Sequence, residues 1–295
     1  MRITDRMIVN HSLSYLQRGR QRLGEAQTRV VTGRRLQRSS DNPADVERAM
    51  TLASELRMVE KQNSNLQTTR DWLSGTDVAV SNLNDTLITA RSLALRAKND
   101  TFSENERSAM SKQIGEMLNS AMSIANTQQG GSYLFSGQQV KTQPFSIQGG
   151  TIVYQGDNAN INHIVELGQT MTINITGVQG NNLGVFGALN ALQALQEGLA
   201  ANDLTSIDEF MDRTDGVMDD LFSAQSALGV RMQRIDATSE RFDERETDLK
   251  QLYSELVDAD MAEVIAEMNA ESTAYEMSLA TTARIMPRSL LDFLR

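Results

Sequence analysis

A chain of 295 residues can hold more than one domain, and 40% hydrophobic with 22% charged residues supplies enough apolar material to fold. A net charge of −10 and a pI near 4.8 exclude a general nucleic-acid surface, which needs concentrated positive charge. The absence of cysteine excludes disulfides, thiolate metal sites and cysteine nucleophiles.

The opening "MRITDRMIVNHSLSYLQRGR" has no continuous apolar core of the kind a cleaved secretory leader needs, and no window approaches a membrane span. If the protein leaves the cell, another route is expected to carry it. Aromatic residues make up 5%, with Trp72 the single tryptophan, against 15 methionines. Such side chains suit helix seams better than a thick globular core.

In chain order, Val9, Leu13, Leu16, Leu23, Ala26 and Val30 recur at helical intervals and predict a helix over about 5–31. Gly33 can end it, while Asn42 as cap and Pro43 at the first helical position start another. Around this break Arg18, Arg20, Arg22, Arg29, Arg34, Arg35 and Arg38 form a cluster, read here as a partner-facing or intersubunit surface, with a polyanion site the alternative. Next comes an apolar seam at a spacing of seven: Leu52, Val59, Leu66, Leu73, Val80, Leu87 and Ala94. Sevens predict coiled-coil packing. The companion seam mixes Leu56 with Asn63, Leu83 and Ala90, and Asn63 and Arg70 are expected to set register rather than to do chemistry. A third helix is predicted after "NDTFSENE", from Met110, Ile114, Met117, Ala121 and Ile124.

From about 130 to 185 the pattern changes to short β-branched and aromatic runs punctuated by glycine, a small β-rich unit. There Met171, Ile173 and Ile175 alternate with Thr172, Asn174 and Thr176, which predicts one buried and one wet face. Helix then returns with Ile207, Thr214, Leu221, Leu228, Ile235, Phe242, Leu249 and Leu256 at a spacing of seven, only Thr214 being polar. In the last helix Met261, Val264, Met268, Tyr275, Leu279 and Met286 share a face, opposite Asp260, Glu263, Glu267 and Glu271. A helix of about 30 residues is roughly 45 Å long, too long to hide its stripe in a compact domain of its own.

The expected fold is therefore mainly α with a β-rich insert: a long antiparallel coiled-coil-like helical rod, a small central β domain, and terminal helices paired. Expected domains are 1–40 with 257–295 (terminal helices), 41–129 with 186–256 (rod) and 130–185 (β-rich). The expected assembly face comprises Val9, Leu13, Leu16, Leu23, Val30, Met261, Val264, Met268, Tyr275, Leu279 and Met286. The expected rod seam comprises Leu66, Leu73, Val80, Leu87, Leu221, Leu228, Ile235, Phe242 and Leu249.

In "RLGEAQTRVVTGRRLQRSSDNPAD" near the start, and in "DADMAEVIAEM" followed by "SLLDFL" at the end, the chain resembles the bacterial flagellin superfamily. The likeness runs over nearly the whole length, though only architecturally in the middle. Within that superfamily, "SSDNPAD" with Pro43 and "GGSYLFSGQQVKTQPF" point to the branch that joins hook to filament, with filament flagellin the nearest alternative. The resemblance implies an inner tube of terminal helices, an outer helical rod and a projecting β domain. It also implies ends that order on assembly, export through the flagellar type III apparatus without a cleaved leader, and a motility role outside the cell. The implied partners are copies of itself, hook-associated protein 1, flagellin and an export chaperone.

Chemistry is not expected. His11 and His163 are the only histidines, one expected on the first helix and one in a strand; each reads as surface or structural, and no metal cluster is expected. Asp258, Asp260 and Glu263 lack the ligand spacing and glycine of a calcium loop and read as an acidic helix start. "GGSYLFSG" has no following GKS or GKT and is not a phosphate loop. No catalytic, metal or cofactor site is expected. A coiled-coil signalling protein would share the heptads but needs a membrane span or an adaptor module, and a secreted enzyme would need more polar groups in the insert.

Overall fold

The computed structural model describes residues 2–38, 42–99, 102–166, 168–178, 180 and 184–285. Side chains at 2–6, 8, 9 and 285 lie outside that description. The helices are α1 (Arg2–Thr32), α2 (Pro43–Ala97), α3 (Glu104–Ala125), α4 (Gly184–Ala200), α5 (Leu204–Val257) and α6 (Met261–Ile285). Between α3 and α4 lie β1 (Gln128–Gln129), β2 (Ser132–Tyr133), β3 (Phe145–Gln148), β4 (Thr151–Tyr154), β5 (Asn162–Glu166) and β6 (Gln169–Thr172).

Local chemistry sets the boundaries. Gly33 closes α1 in the left-handed region, with φ of 66° and its amide on the Arg29 carbonyl at 2.9 Å. Pro43 opens α2, and the Asn42 Oδ1 accepts from the Asp45 amide at 3.4 Å. Ser103 and Glu106 form a reciprocal capping box at the start of α3: the Ser103 amide donates to Glu106 Oε2 at 2.7 Å. That contact with the Ser103 amide holds the Glu106 carboxyl below its ordinary range.

The chain divides into two compact units, Met1–Val59 with Arg245–Arg295, and Glu60–Glu244. In the second unit α2 and α5 run antiparallel. Pairs descend in step: Asn63 with Asp243 at 2.6 Å, Arg70 with Asp236 at 2.6 Å, Arg91 with Asp215, and Lys98 with Asp208 at 2.6 Å. Inside this polar margin Leu66, Leu73, Val80, Leu87, Leu221, Leu228 and Ile235 are buried to 2% or less, while Phe242 is half-buried. Each such side chain contributes roughly 1.5–3 kcal/mol on leaving water. The register residues are satisfied as well, since the Ser239 hydroxyl donates to Asn63 Oδ1 at 2.7 Å.

A second layer completes this core. Ile114, Leu118 and Ala121 of α3 and Leu189, Leu192 and Leu195 of α4 pack with α2 and α5 into one apolar cluster that also takes in Phe135 and Phe145. A turn at 201–203 separates α4 from α5. Asn202 sits there at φ 53°, and Asp203 caps α5 by accepting from the Thr205 amide at 2.9 Å.

The β-rich stretch is three separate antiparallel hairpins, β1–β2, β3–β4 and β5–β6, rather than one sheet. The expected wet face at 172–176 is overturned beyond Thr172. Strand pairing ends there, and Ile173, Asn174, Ile175 and Thr176 are all buried. Asn174 can be interior because its amide is answered at both ends: Nδ2 donates to the Ala159 carbonyl at 2.9 Å and Oδ1 accepts from the Ile161 amide at 2.8 Å. Gly177 has a steric reason to be glycine, since a Cβ there would lie 2.5 Å from Phe145 Cζ.

Candidate assembly interface

The first unit is built from α1, α6, the start of α2 and the end of α5, and its apolar burial is thin. Fully or nearly buried hydrophobic residues are Ala26, Ala49, Val59, Leu249, Val257 and Val264. Here α1 and α6 lie side by side. They come close at Gly19, where an added Cβ would just touch the Tyr275 ring at 3.4 Å. Polar pairs flank the contact: Arg22 with Glu271 at 3.2 Å and Arg29 with Glu267 at 2.8 Å. Both are partly exposed, so each contributes about 1 kcal/mol or less.

The bends leading into the two helices are joined by main-chain bonds. The Arg35 amide donates to the Val257 carbonyl at 2.7 Å and the Ala259 amide to the Gly33 carbonyl at 2.9 Å, around a bridge between Arg34 and Asp258. Asp260 caps α6, its Oδ1 accepting from the Ala262 amide at 2.9 Å, while Asp258 Oδ2 accepts from the Ser254 hydroxyl at 2.6 Å. Of the acidic cluster at this helix start, Asp260 is thus engaged in capping and Asp258 in a side-chain bond to α5.

Of the residues expected on the assembly face, Val264 is buried, and Leu16, Leu23, Val30, Met268 and Tyr275 are half-buried. Leu13, Met261 and Leu279 are exposed at 49%, 40% and 43%. Val9 has only its helical backbone described, and Met286 lies outside the described residues. Further large apolar side chains lie open on the same two helices: Met7, Tyr15 and Val31 on α1, Ile265 and Met277 on α6. Sequence periodicity missed these because it selects the single richest stripe of a helix. The signal that could have found them is the second, sparser apolar row behind it.

Neither histidine builds a site. His11 is exposed with its ring 6.0 Å from that of Tyr15, and half-buried His163 has Nδ1 2.9 Å from the Thr69 hydroxyl, with burial lowering its pKa. Among the described residues no group of three metal-ligating side chains forms, and no helix is long and apolar enough to cross a membrane.

Fold and face together define a helical structural subunit whose first and last helices pair and whose β-containing insert lies in mid-chain. Two family models match: the bacterial flagellin N-terminal helical region over residues 3–140 and the bacterial flagellin C-terminal helical region over 211–294. The chain belongs to the bacterial flagellin superfamily, the family of structural proteins of the flagellum and of motility. It is 22% identical to flagellar hook-associated protein 3 of Salmonella typhimurium, covering 100% of both chains. It is 20% identical to flagellin of Listeria innocua, covering 100% of this chain and 99% of that one. Among solved structures, the flagellar junction protein FlgL of Legionella pneumophila aligns with a TM-score of 0.55 at 15% identity, covering 64% of this chain and 99% of that one.

Proposed function

We propose that this chain is the subunit that joins the flagellar hook to the filament, a member of the hook-associated protein 3 group, and that it is the template on which flagellin begins to assemble. The observation that carries this reading is the one-sided cover of the terminal helices. α1 and α6 shield part of each other, yet Met7, Leu13, Tyr15, Met277 and Leu279 stay open to water. Apolar side chains in such number on two adjacent helices are covered when copies stack. End-to-end correspondence with the Salmonella protein supports the junction role, and because Listeria flagellin corresponds over the same length, abundance is what separates the two.

In this reading the segments 1–40 and 257–295 form the inner layer, 41–129 with 186–256 the rod, and 130–185 the outer part. The assembly face consists of the open and half-open residues of α1 and α6 named above. The subunit works outside the cell, after export through the flagellar type III route without a cleaved leader. Its partners are copies of itself, hook-associated protein 1, flagellin and an export chaperone. Its task is structural rather than enzymatic.

Deletion of residues 257–295 tests the proposal. The truncated chain should be exported yet leave hooks bare, with flagellin accumulating in the medium. Normal filaments on cells carrying only the truncated chain would refute it. The filament-flagellin alternative is separated by abundance, a handful of subunits per flagellum for a junction against thousands for a filament.

A further inference from the structure

The chain has 15 methionines and no cysteine, so it holds no thiolate to take up an oxidant before a thioether does. Exposure divides the methionines between the two units. Among the described residues Met7, Met50, Met58, Met261 and Met277 are exposed, each at 40% or more. All five lie in the terminal unit, Met1–Val59 with Arg245–Arg295, where Met268 alone of the described methionines is half-buried. The unit 60–244 exposes none of its methionines. Met171 is buried, and Met110, Met117, Met122, Met211, Met218 and Met232 are half-buried against its two apolar clusters.

Three of the open sulfurs stand on the helices whose apolar side chains stacking covers: Met7 on α1, Met261 and Met277 on α6. Met261 shares a stripe with Ile265 and Leu279, about one and five turns further along and both exposed. Met277 opens on the opposite side of the same helix. A thioether packs as hydrocarbon does. Oxidation by a peroxide ends that: a sulfur lone pair attacks one peroxide oxygen, the O–O bond breaks, an S–O bond forms, and the second oxygen leaves as water with both protons. Sulfur loses two electrons and the peroxide gains them. The sulfoxide oxygen is a strong acceptor, and moving it out of water into a stacked apolar face is costly.

We infer that Met7, Met261 and Met277 are oxidation sites that switch assembly. A peroxide that reaches the unassembled chain converts them to sulfoxides and stops the chain from stacking, and a thiol-dependent sulfoxide reductase restores it. Met50 and Met58 oxidise too, but they stand on α2 rather than on that face, and their oxidation leaves stacking intact. The unit 60–244 keeps its packing because its sulfurs are shielded. This inference rests on the assembly reading above and adds its regulation.

Purified full-length chain, treated with hydrogen peroxide, quenched with catalase and mapped by peptide mass spectrometry, tests the sites. The five open methionines should gain one oxygen several-fold faster than the methionines of the unit 60–244. Equal rates would overturn the inference. Isotope-labelled chain, treated or untreated, is then added to cells that lack their own copy, and the amount recovered on sheared flagella is measured. Treatment should cut recovery by about ten-fold or more, the scale set by burying one unpaired polar group. Methionine sulfoxide reductase with dithiothreitol should bring recovery back.

In the variant carrying Met7→Leu, Met261→Leu and Met277→Leu, treatment should cut recovery by less than about two-fold relative to the same variant untreated, leucine being close in volume and inert to peroxide. The pair Met50→Leu and Met58→Leu should leave the sensitivity whole. Equal recovery of treated and untreated native chain, no return with the reductase, or protection by the α2 pair instead of the α1 and α6 set would overturn the switch. Should the triple variant fail to attach even untreated, the reductase arm decides. The two readings fail separately. Normal filaments after deletion of 257–295 sink the junction role and not the switch, which is read from recovery of the chain itself. Bare hooks on that deletion with treatment-independent recovery sink the switch alone.

Discussion

Arg107 is 7% exposed and hydrogen-bonds to no carboxylate among the described residues, its guanidinium being held by backbone carbonyls and one side-chain amide. Nε donates to the Ala97 carbonyl at 3.0 Å, Nη2 to that of Asn99 at 3.4 Å, and Nη1 to Asn202 Oδ1 at 2.9 Å. The Ala97 carbonyl is the last of α2, where the helix dipole favours a cation, and the Asn99 carbonyl just beyond it also accepts from the Phe102 amide at 3.2 Å. A single side chain from α3 thereby ties the end of α2 to the α4–α5 turn. Nothing in sequence periodicity marks Arg107, because a charged residue at a helix start ordinarily reads as solvated. Tyr154 is a second case. Its hydroxyl lies 2.8 Å from the carbonyl oxygens of both Phe135 and Asp157, and burial pushes its pKa from 10 to about 12. The folded state prefers the neutral phenol, so this contribution is whole below pH 10 and is lost as the pH climbs toward 12. Urea midpoints measured between pH 9 and 12 should fall more steeply for the native chain than for Tyr154→Phe. Parallel curves would show that the phenol plays no part.

At the scale of the element, the long seams were readable because burial and spacing coincide. Leu66, Leu73, Val80 and Leu87 on α2 and Leu221, Leu228 and Ile235 on α5 are predicted and found in the interior. Thr214 looked like a flaw in that run. It is fully buried and gives its proton to the Phe210 carbonyl one turn back at 2.6 Å, so the helix satisfies it without a partner elsewhere. Thr214→Val should therefore change unfolding free energy by less than about 1 kcal/mol, while Leu221→Ala should cost about 2–5 kcal/mol. Denaturant titration of the two variants separates the cases. Other parts were not readable for physical reasons. The α4–α5 turn depends on the backbone of Asn202 and the side chain of Asp203, which a count of apolar positions passes over. The burial of Asn174 depends on two backbone partners brought from elsewhere in the chain. In the assembly face, pairing of α1 with α6 draws the predicted stripe partly inward, and the apolar residues left outermost include Ile265 and Met277, which no single stripe contains.

At the scale of the whole molecule, the two units differ in how much they bury. The unit 60–244 holds both large apolar clusters, whereas the terminal unit has a few buried hydrophobic residues spread along four helical segments. Local stability follows buried contacts. In the isolated chain, amide hydrogen exchange should accordingly be slow in α3, α4 and the facing turns of α2 and α5, and fast along α1 and α6. Equal protection of α1 and the 66–87 turns of α2 would contradict the thinness of the terminal core. Assembled material should gain its protection in α1 and α6. The main-chain bonds between the bends at Gly33–Arg35 and Val257–Ala259 add a mechanical consequence. They yoke the two helices at their roots, so a twist applied to one is delivered to the other. Because amides and carbonyls make the yoke, it survives most changes of side chain in those bends, the exceptions being proline at 35 or 259 and any side chain at Gly33, whose φ is 66°.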